Sequence, residues 1–504
     1  EVNWNFADKI LRAAEKVVQT DGLYPVFLTS FKCGPDSFLV EYFRKIMDAH
    51  NKPYLVLELD EHDSSVGYET RIEAAVRSFR NHRDESFEPG KPDYSGINPR
   101  YSKVLSKRRT LVIPKWDDTA VPLIADILNA QGYPTVVMEE TEQTIRKSLQ
   151  WNNGQCIPMN ALVEGFAATI RNRGLDPSVC SLWVPEANLS CNIRMFPHHI
   201  QEILKVYGEG LEKAEVYQGM LAYTDLSPMV TVLAYQAYMF SGLIRRISCR
   251  IRPYEKNPGQ TDEAVRKSMV LLSELFLGLR KNTGQTIQEI IRLFEWIPYD
   301  RSSRKPLVAL FGDIYVRDNS VMNQDVISYI EQNGGEVVTM AYHEFTRMTC
   351  DMYFKRWGRE WRLRKIMSLK PILSALETME KWYYRYFEKV LEEPVAMYKD
   401  DPEEILAPYS IRMDHEGESQ DNLLKTYYIS RQYPDLSLFV QLNPGFCCAG
   451  NVTEAMSGKI RDMTGVPVLS LTYDGTGGLK NDAILPYLKY SEGGQKGSKE
   501  RKLV

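Results

Sequence analysis

A segment that reads as strand, cysteine-bearing turn, helix and strand occurs twice in this sequence of 504 residues. The copies are residues 24–61, YPVFLTSFKCGPDSFLVEYFRKIMDAHNKPYLVLELDE, and residues 436–475, LSLFVQLNPGFCCAGNVTEAMSGKIRDMTGVPVLSLTYDG. In each copy the cysteine, Cys33 or Cys447, is followed twenty residues later by a proline that opens an apolar run. Two short apolar strands joined through a helix are typical of a parallel sheet. The repeat therefore predicts an α/β fold.

The cysteine of each copy lies between the end of a strand and the start of a helix. At that position it faces unpaired backbone N–H groups and the positive end of the helix dipole, which predicts a lowered pKa. The thiolate is the form that binds a metal, so the position favours a ligand. The alternative is that such a cysteine is a small buried apolar residue at a tight turn.

Two further cysteines have the same predicted setting. Cys156 lies just before a helix that Pro158 opens, and Cys191 follows the strand CSLWVP and precedes a helix. A zinc site normally has close ligand pairs such as C-x-x-C, and this sequence has none. Distant cysteines that meet at strand ends suit an iron–sulfur cluster with three thiolate ligands and one open iron.

The order of apolar runs, polar stretches and helical periodicity divides the chain into several units. We predict the last lobe of an upstream repeat unit at 1–80, a linker at 81–104, a first α/β lobe at 105–205, a helical region at 206–304, a second α/β lobe at 305–490 and a disordered tail at 491–504. The chain begins without methionine, and its first unit resembles the second half of a repeat. This pattern predicts a piece of a longer polypeptide.

Composition excludes several classes of function. The net charge of −4 provides no basic surface for nucleic acid or anionic membranes. Eight cysteines in a chain of this length do not indicate a secreted disulfide framework, so we expect a reducing cytoplasm. The uncharged stretch 226–244 is long enough to span a membrane, but its polar residues favour a buried core helix.

Three other motifs are weak. No Walker A sequence is present. The glycine-rich DGTGGLKN at 474–481 follows a strand and fits a surface turn better than a phosphate loop. His198 and His199 follow Pro197 at a helix start, where exposed or capping roles are favoured over metal binding.

Two long phrases carry a family resemblance. FGDIYVRDNSVMNQDVISYIEQNGGEV and LNPGFCCAGNVTEAMSGKIRDMTGVPVLSLTYDGT resemble the 2-hydroxyacyl-CoA dehydratase superfamily, which includes benzoyl-CoA reductase subunits and double-cubane cluster proteins. The resemblance is closest to the C-terminal part of large acyl-CoA dehydratase activases. It covers about residues 105–490 as one unit and 1–80 as the tail of a preceding one. It implies two Rossmann-like, flavodoxin-like lobes with an iron–sulfur cluster between them.

By position, the resemblance implies that Cys156, Cys191 and Cys447 hold the cluster, either [4Fe-4S] or double cubane. Cys33 would be the third ligand of the upstream unit. The sequence leaves open whether Cys180 replaces Cys191, and whether Cys448 replaces Cys447.

The resemblance also implies partners and a reaction. An ATPase of the actin–hexokinase type, separate or fused upstream, would supply a low-potential electron under anaerobic conditions. The chain would then act as a reductase or 2-hydroxyacyl-CoA dehydratase component on an acyl-CoA or another small substrate, in a dimer or a larger complex. The alternatives are a non-catalytic scaffold with a degenerate cluster site, and a CoA- or nucleotide-binding module without redox chemistry.

Overall fold

The structure of the chain is a computed structural model. It describes residues 4–30, 33–61, 65–84, 101–187, 191–415 and 417–490. The predicted tail at 491–504 and residues 85–100 of the predicted linker lie outside the described residues.

The N-terminal unit contains the first copy of the repeat. Its elements are α1 (Asn5–Val18), β1 (Val26–Ser30), α2 (Gly34–Ala49), β2 (Leu55–Leu59) and α3 (Ser65–Asp84). β1 and β2 are parallel, with Val26 opposite Leu55. α1 and α2 pack on the strands and form a small core of their own.

The first lobe is a five-stranded parallel sheet with helices around it. Its elements are β3 (Tyr101–Ser102), β4 (Thr110–Ile113), α4 (Ala120–Ala130), β5 (Thr135–Val137), α5 (Glu142–Ser148), α6 (Ile157–Arg173), β6 (Cys180–Pro185), α7 (Phe196–Tyr207) and β7 (Glu215–Gly219). The strand order is β3-β7-β6-β4-β5.

Three helices and a second sheet complete the chain. The helices are α8 (Pro228–Ile251), α9 (Gln260–Phe276) and α10 (Thr283–Glu295). The second lobe contains β8 (Leu307–Gly312), α11 (Ile314–Arg317), α12 (Val326–Gln332), β9 (Glu336–Val338), α13 (Tyr342–Arg359), α14 (Leu363–Leu391), α15 (Pro402–Leu406), α16 (Glu418–Gln432), β10 (Leu436–Pro444), α17 (Cys448–Ala455), α18 (Ser457–Thr464), β11 (Val468–Tyr473) and α19 (Leu485–Tyr490). Its sheet has the order β11-β10-β8-β9 and is also parallel.

Local sequence signals account for the boundaries of many of these elements. Strand β4 is buried on both faces, as expected for a parallel strand covered by helices. The chain turns after α4 at Gly132, whose φ of +80° is easily reached only by glycine. Helix α6 has Pro158 in its first turn and ends at Gly174 with φ +60°. The α/β fold class with parallel sheets and an additional helical region is therefore confirmed.

The two lobes share one strand order. Numbered from the first strand of each βα series, β5-β4-β6-β7 and β9-β8-β10-β11 are both 2-1-3-4, the order of flavodoxin-like sheets. In such sheets, ligands bind at the carboxyl ends of the strands where the order reverses. The reversals lie between β4 and β6 in the first lobe and between β8 and β10 in the second.

The repeat has the predicted secondary structure in both copies, although the helix of the second copy is divided into α17 and α18. The range 206–304, predicted to be helical, also contains a strand, β7. β7 pairs with β6 and belongs to the first sheet. The stretch 226–244 forms part of α8, a largely buried core helix. Within the described residues, no helix is long and apolar enough to cross a membrane.

Candidate functional site

The carboxyl ends of the two sheets face each other across a shared cleft. Asp117, beyond β4, forms a parallel bridge with Asp318, beyond β8. Nearby, the Ile157 N–H donates to the Gly445 carbonyl at 3.4 Å, which joins the start of α6 to the loop after β10. The reversal points of the two sheets therefore lie next to each other.

Four cysteines are positioned in this cleft by the starts of helices. Cys33, Cys156 and Cys447 directly precede α2, α6 and α17, and Cys191 directly precedes a short 3-10 turn that leads into α7. Two of their sulfurs accept backbone hydrogen bonds: Cys191 Sγ from the Ile193 N–H at 3.5 Å, and Cys447 Sγ from the Gly450 N–H at 3.3 Å. The predicted position of these cysteines at helix starts is thus observed.

Cys156, Cys191 and Cys447 come together although they are distant in the sequence. The Ile157 N–H, next to Cys156, donates to the carbonyl of Gly445, two residues before Cys447. A Cβ added to Gly34 would lie 3.2 Å from the Phe446 carbonyl oxygen and 3.4 Å from Asn192 Nδ2, so the residues next to Cys447 and Cys191 meet at one point. Burial is the main cause that raises the pKa of Cys156, and the neighbouring Cys447 and Cys191 raise it further.

Cys33, which the resemblance assigns to an upstream unit, lies close to the second lobe. A Cβ added to Gly34 would be 3.1 Å from Cys448 Sγ, so the start of α2 lies against the second of the adjacent cysteines. The Asn192 amide donates to Cys448 Sγ at 3.7 Å, and Trp4 Nε1 donates to the Asn192 side chain at 3.0 Å. The N-terminal unit therefore brings Cys33 next to Cys448, the first residue of α17 in the second lobe. We call Cys33, Cys156, Cys191, Cys447 and Cys448 together the cysteine site.

Cys180 lies away from this site. It is the first residue of β6 and is fully buried, whereas Cys191 follows the carboxyl end of the same strand. The two cysteines are therefore associated with opposite edges of the sheet. All eight cysteines of the chain are free thiols.

Two carboxyl groups also belong to the cleft. Asp313 follows β8, and its carboxylate accepts the N–H groups of Tyr315 and Val316. Glu418 is the first residue of α16. Within the described residues, Asp313, Glu418 and Cys447 are the one set of three His, Cys, Asp or Glu residues whose ligand atoms all lie within 4.8 Å of each other. Burial raises the pKa of both carboxyl groups, which favours their neutral forms next to the cysteines.

Among the described residues, no three cysteine sulfurs lie within 4.8 Å of one another, as the thiolate ligands of a single tetrahedral ion would. An iron–sulfur cluster takes each thiolate on a different iron atom, so it does not require that spacing.

The predicted lowering of the cysteine pKa values is wrong. Burial raises the pKa of Cys191 to about 12, and it raises the pKa of Cys33, Cys156 and Cys447 as well. The backbone N–H of Ile193 acts in the opposite direction at Cys191, but its effect is smaller than that of burial. The sequence identified the favourable helix terminus but did not show how deeply each sulfur is buried.

No family model and no curated protein matches this sequence.

The backbone is constrained immediately before Cys447. Phe446 has φ +65°, a left-handed value that is rare for a bulky residue and is found most often at functional sites. A Cβ added to Gly450 would lie 2.7 Å from the Asn443 side chain, so only glycine fits in this turn of α17. The loop that carries Cys447 is therefore tightly held.

The cysteine site can be reached from solvent. A cavity of about 520 Å³ lies between the N-terminal unit and the first lobe, and Cys33, Gln155 and His199 are among the residues that line it. Cys33, Cys156, Cys191 and Cys448 are all partly exposed. A small molecule or a partner's side chain could approach from this side.

Two predicted details near the site have different outcomes. His198 and His199 are half-buried rather than exposed, because their rings pack on Tyr42 and Phe38 of α2. The motif at 474–481 forms an exposed turn after β11, in which the Asp474 side chain accepts the Thr476 N–H.

Sequence reasoning missed Asp313, Glu418 and Asn192. Asp313 could have been found, because it follows an apolar strand in FGDIY as Cys447 does in its own segment. Glu418 and Asn192 had no such signal, since neither directly follows a strand.

Proposed function

We propose that this chain holds an iron–sulfur cluster through Cys156, Cys191 and Cys447, and acts as the reductase or dehydratase component of an ATP-dependent electron-transfer system. The observation that carries the proposal is the meeting of these three thiols between the reversal points of two parallel sheets. Such sheets usually bind ligands at the carboxyl ends of their strands, at the point where the strand order reverses. Three cysteines from separate helix starts provide a donor set that a buried structural role does not require.

The residues of the cleft would each contribute to holding such a group. The N–H groups of Ile193 and Gly450 donate to the sulfurs of Cys191 and Cys447. Hydrogen bonds to ligand sulfurs and burial both tune the reduction potential of a cluster. Burial raises the pKa of Asp313 and Glu418, which reduces the negative charge beside Cys447. The cluster would supply one-electron transfer at low potential.

The resemblance of the sequence extends this proposal to partners and substrate. It favours an ATPase of the actin–hexokinase type as electron donor, and an acyl-CoA or another small molecule as substrate. The solvent-accessible cavity beside Cys33 offers a route between a donor and the cysteine site. A dimer or a larger complex remains part of the proposal.

A second candidate function is a non-catalytic scaffold in a larger complex. One observation favours it: the closest potential ligand set contains two carboxyl groups and a single thiol, Asp313, Glu418 and Cys447. Acidic side chains beside a thiolate cluster would repel its negative charge unless they remain protonated. Under this alternative, the cysteine site is degenerate and holds no cluster.

Iron and acid-labile sulfide, quantified on the full chain purified without oxygen, distinguish the two functions. We expect a brown protein containing both elements. Cys156→Ala, Cys191→Ala and Cys447→Ala should each lose most of the iron, because each removes one of three ligands.

The matched control is Cys180→Ala, which removes a buried thiol away from the site and should retain the iron. Cys33→Ala and Cys448→Ala test whether the neighbouring pair also binds iron. A colourless wild-type protein without iron would refute the proposed function and favour the scaffold. Equal iron loss in Cys180→Ala would also count against the assigned ligands.

A further inference from the structure

An apolar cavity of about 160 Å³ lies between α8, α13 and the first half of α14. None of its fifteen lining residues is charged. Six aromatic rings form much of its wall, those of Tyr235, Tyr238, Tyr342, Tyr353, Phe354 and Trp357. By contrast, the cavity beside Arg245 is lined by several arginines and carboxylates. Of these two cavities in the described part of the chain, the one beside Arg245 is charged and the one between the helices is apolar.

Two tyrosines of the wall have hydroxyl groups that are hydrogen-bonded to other residues. The Tyr235 hydroxyl donates to Glu380 Oε2 at 3.0 Å, and the Tyr238 hydroxyl donates to the Leu221 carbonyl at 3.1 Å. Since these polar atoms already have partners, a ligand in the cavity would contact ring faces and edges. Aromatic groups pack well against such faces and edges.

The size and chemistry of the cavity define its occupant. A cavity of ~150 Å³ lined by apolar side chains binds benzene, which makes one aromatic ring or a compact branched hydrocarbon the matching ligand. A carboxylate or an ammonium group would lose its hydration without gaining a charged partner.

A series of side-chain contacts joins the cavity to the residues beside the cysteine site. Tyr342 lines the cavity, and its ring lies 4.4 Å from that of Tyr238 and 5.6 Å from that of Phe345. Lys425 Nζ lies 4.9 Å from the centre of the Phe345 ring. The same Lys425 Nζ donates to the Gly312 carbonyl at 3.3 Å, and the next residue, Asp313, has a carboxylate oxygen within 4.8 Å of Cys447 Sγ. Tyr342 and Phe345 therefore link the cavity to the residues beside Cys447.

We propose that this cavity binds the uncharged aromatic or branched hydrocarbon end of a substrate whose remainder extends past Tyr342 toward the cysteine site. The second half of this statement rests on the proposed function. The binding of the apolar group does not, because the cavity is formed by side chains outside the cysteine site.

The first test uses 4-fluorotoluene and ligand-observed ¹⁹F NMR on the full chain. The wild-type protein should bind this probe, and 4-fluorobenzoate, which carries a charge, should bind at least tenfold more weakly. Leu373→Trp fills the cavity and should weaken the binding of 4-fluorotoluene at least tenfold. The matched control Met367→Trp lies on the same helix at a position 74% exposed and should bind as the wild type does.

A second variant keeps the proposal testable if Leu373→Trp fails to fold. Leu373→Ala enlarges the cavity and should admit 1-fluoronaphthalene, which the wild type should exclude. Wild-type protein that binds neither probe, or binds 4-fluorobenzoate equally well, would overturn the proposal. So would equal binding of 4-fluorotoluene by folded Leu373→Trp.

The iron content separates this inference from the proposed function. Binding of 4-fluorotoluene by a protein that never holds iron would leave the apolar site assigned and refute the cluster. Protein that contains iron but fails to bind the probe would refute the apolar site alone.

Discussion

At the scale of single residues, burial decides how the titratable groups of this protein behave. Cys191 has a favourable backbone N–H at a helix start, yet burial raises its pKa to about 12. His199 is held in its neutral form for the same reason. The sequence predicts the position of His199 at the start of a helix. Its burial depends on Phe38 of α2, a helix more than a hundred residues earlier in the chain.

His199 should make the stability of the fold depend on pH. Burial lowers its pKa from 6.5 to about 4, and the Gln155 amide donates to its Nε2 at 3.2 Å. Glu202 and Lys45 act on the ring in opposite directions. Since the unfolded chain binds this proton below pH 6.5 and the folded chain only below about 4, acidification across this window destabilises the fold. The loss should be up to ~3 kcal/mol.

Urea denaturation at pH 7.5 and pH 4.5 checks this prediction. The stability of His199→Gln should depend less on pH than that of the wild type. Some dependence should remain, because burial also lowers the pKa of His198 to about 4. Val206→Ala, at an exposed position of the same helix, should show the wild-type pH dependence. The same acid-dependent loss in His199→Gln as in the wild type would contradict the assignment.

At the scale of secondary-structure elements, close helix contacts explain several small residues. Gly242 of α8 lies opposite the start of α13, where a Cβ on Gly242 would be 2.4 Å from the Ala341 Cβ. The sequence predicted α8 as a buried helix from its lack of charge. It did not indicate that one glycine of this helix permits contact with a helix about a hundred residues later.

Gly242→Ala should therefore destabilise the protein although alanine is the better helix former. Overpacking of this kind costs roughly 1–3 kcal/mol, which exceeds the gain in helix propensity of about 1 kcal/mol. The midpoint of thermal unfolding measures the effect.

Gly67→Ala, in α3, is the matched control. No atom lies within 4 Å of an added Cβ there, so the substitution should stabilise the helix or leave it unchanged. A stabilised Gly242→Ala variant would show that α8 and α13 are not in close contact.

At the scale of the whole molecule, Arg245 connects the two lobes. Its guanidinium contacts Asp117 Oδ1 at 2.5 Å and Asp318 Oδ1 at 3.0 Å, and the side chains of all three residues are largely buried. Asp117 follows β4 of the first lobe and Asp318 follows α11 of the second. This ion pair lies beside the bridge that joins the lobes at the cleft.

Arg245→Met should reduce stability by roughly 3–5 kcal/mol, because buried Asp117 loses the arginine that pairs with it, whereas Asp318 keeps its ion pair with Arg317. Chemical denaturation should show the loss. Arg266→Met removes an arginine that is 71% exposed and pairs with Glu263 on the same helix. This control should cost less than about 1 kcal/mol. Similar losses in the two variants would contradict a role for Arg245 in joining the lobes.

The sequence and the tertiary structure contributed different parts of this description. Apolar runs, helix caps and the repeat determined the parallel α/β class and put Cys33, Cys156, Cys191 and Cys447 at helix starts, because such patterns report local conformation. The tertiary structure alone placed Cys33 beside Cys448 and put Asp313 and Glu418 near Cys447. It also assigned β7 to the first sheet. These facts depend on how lobes distant in sequence pack together, which no local pattern specifies.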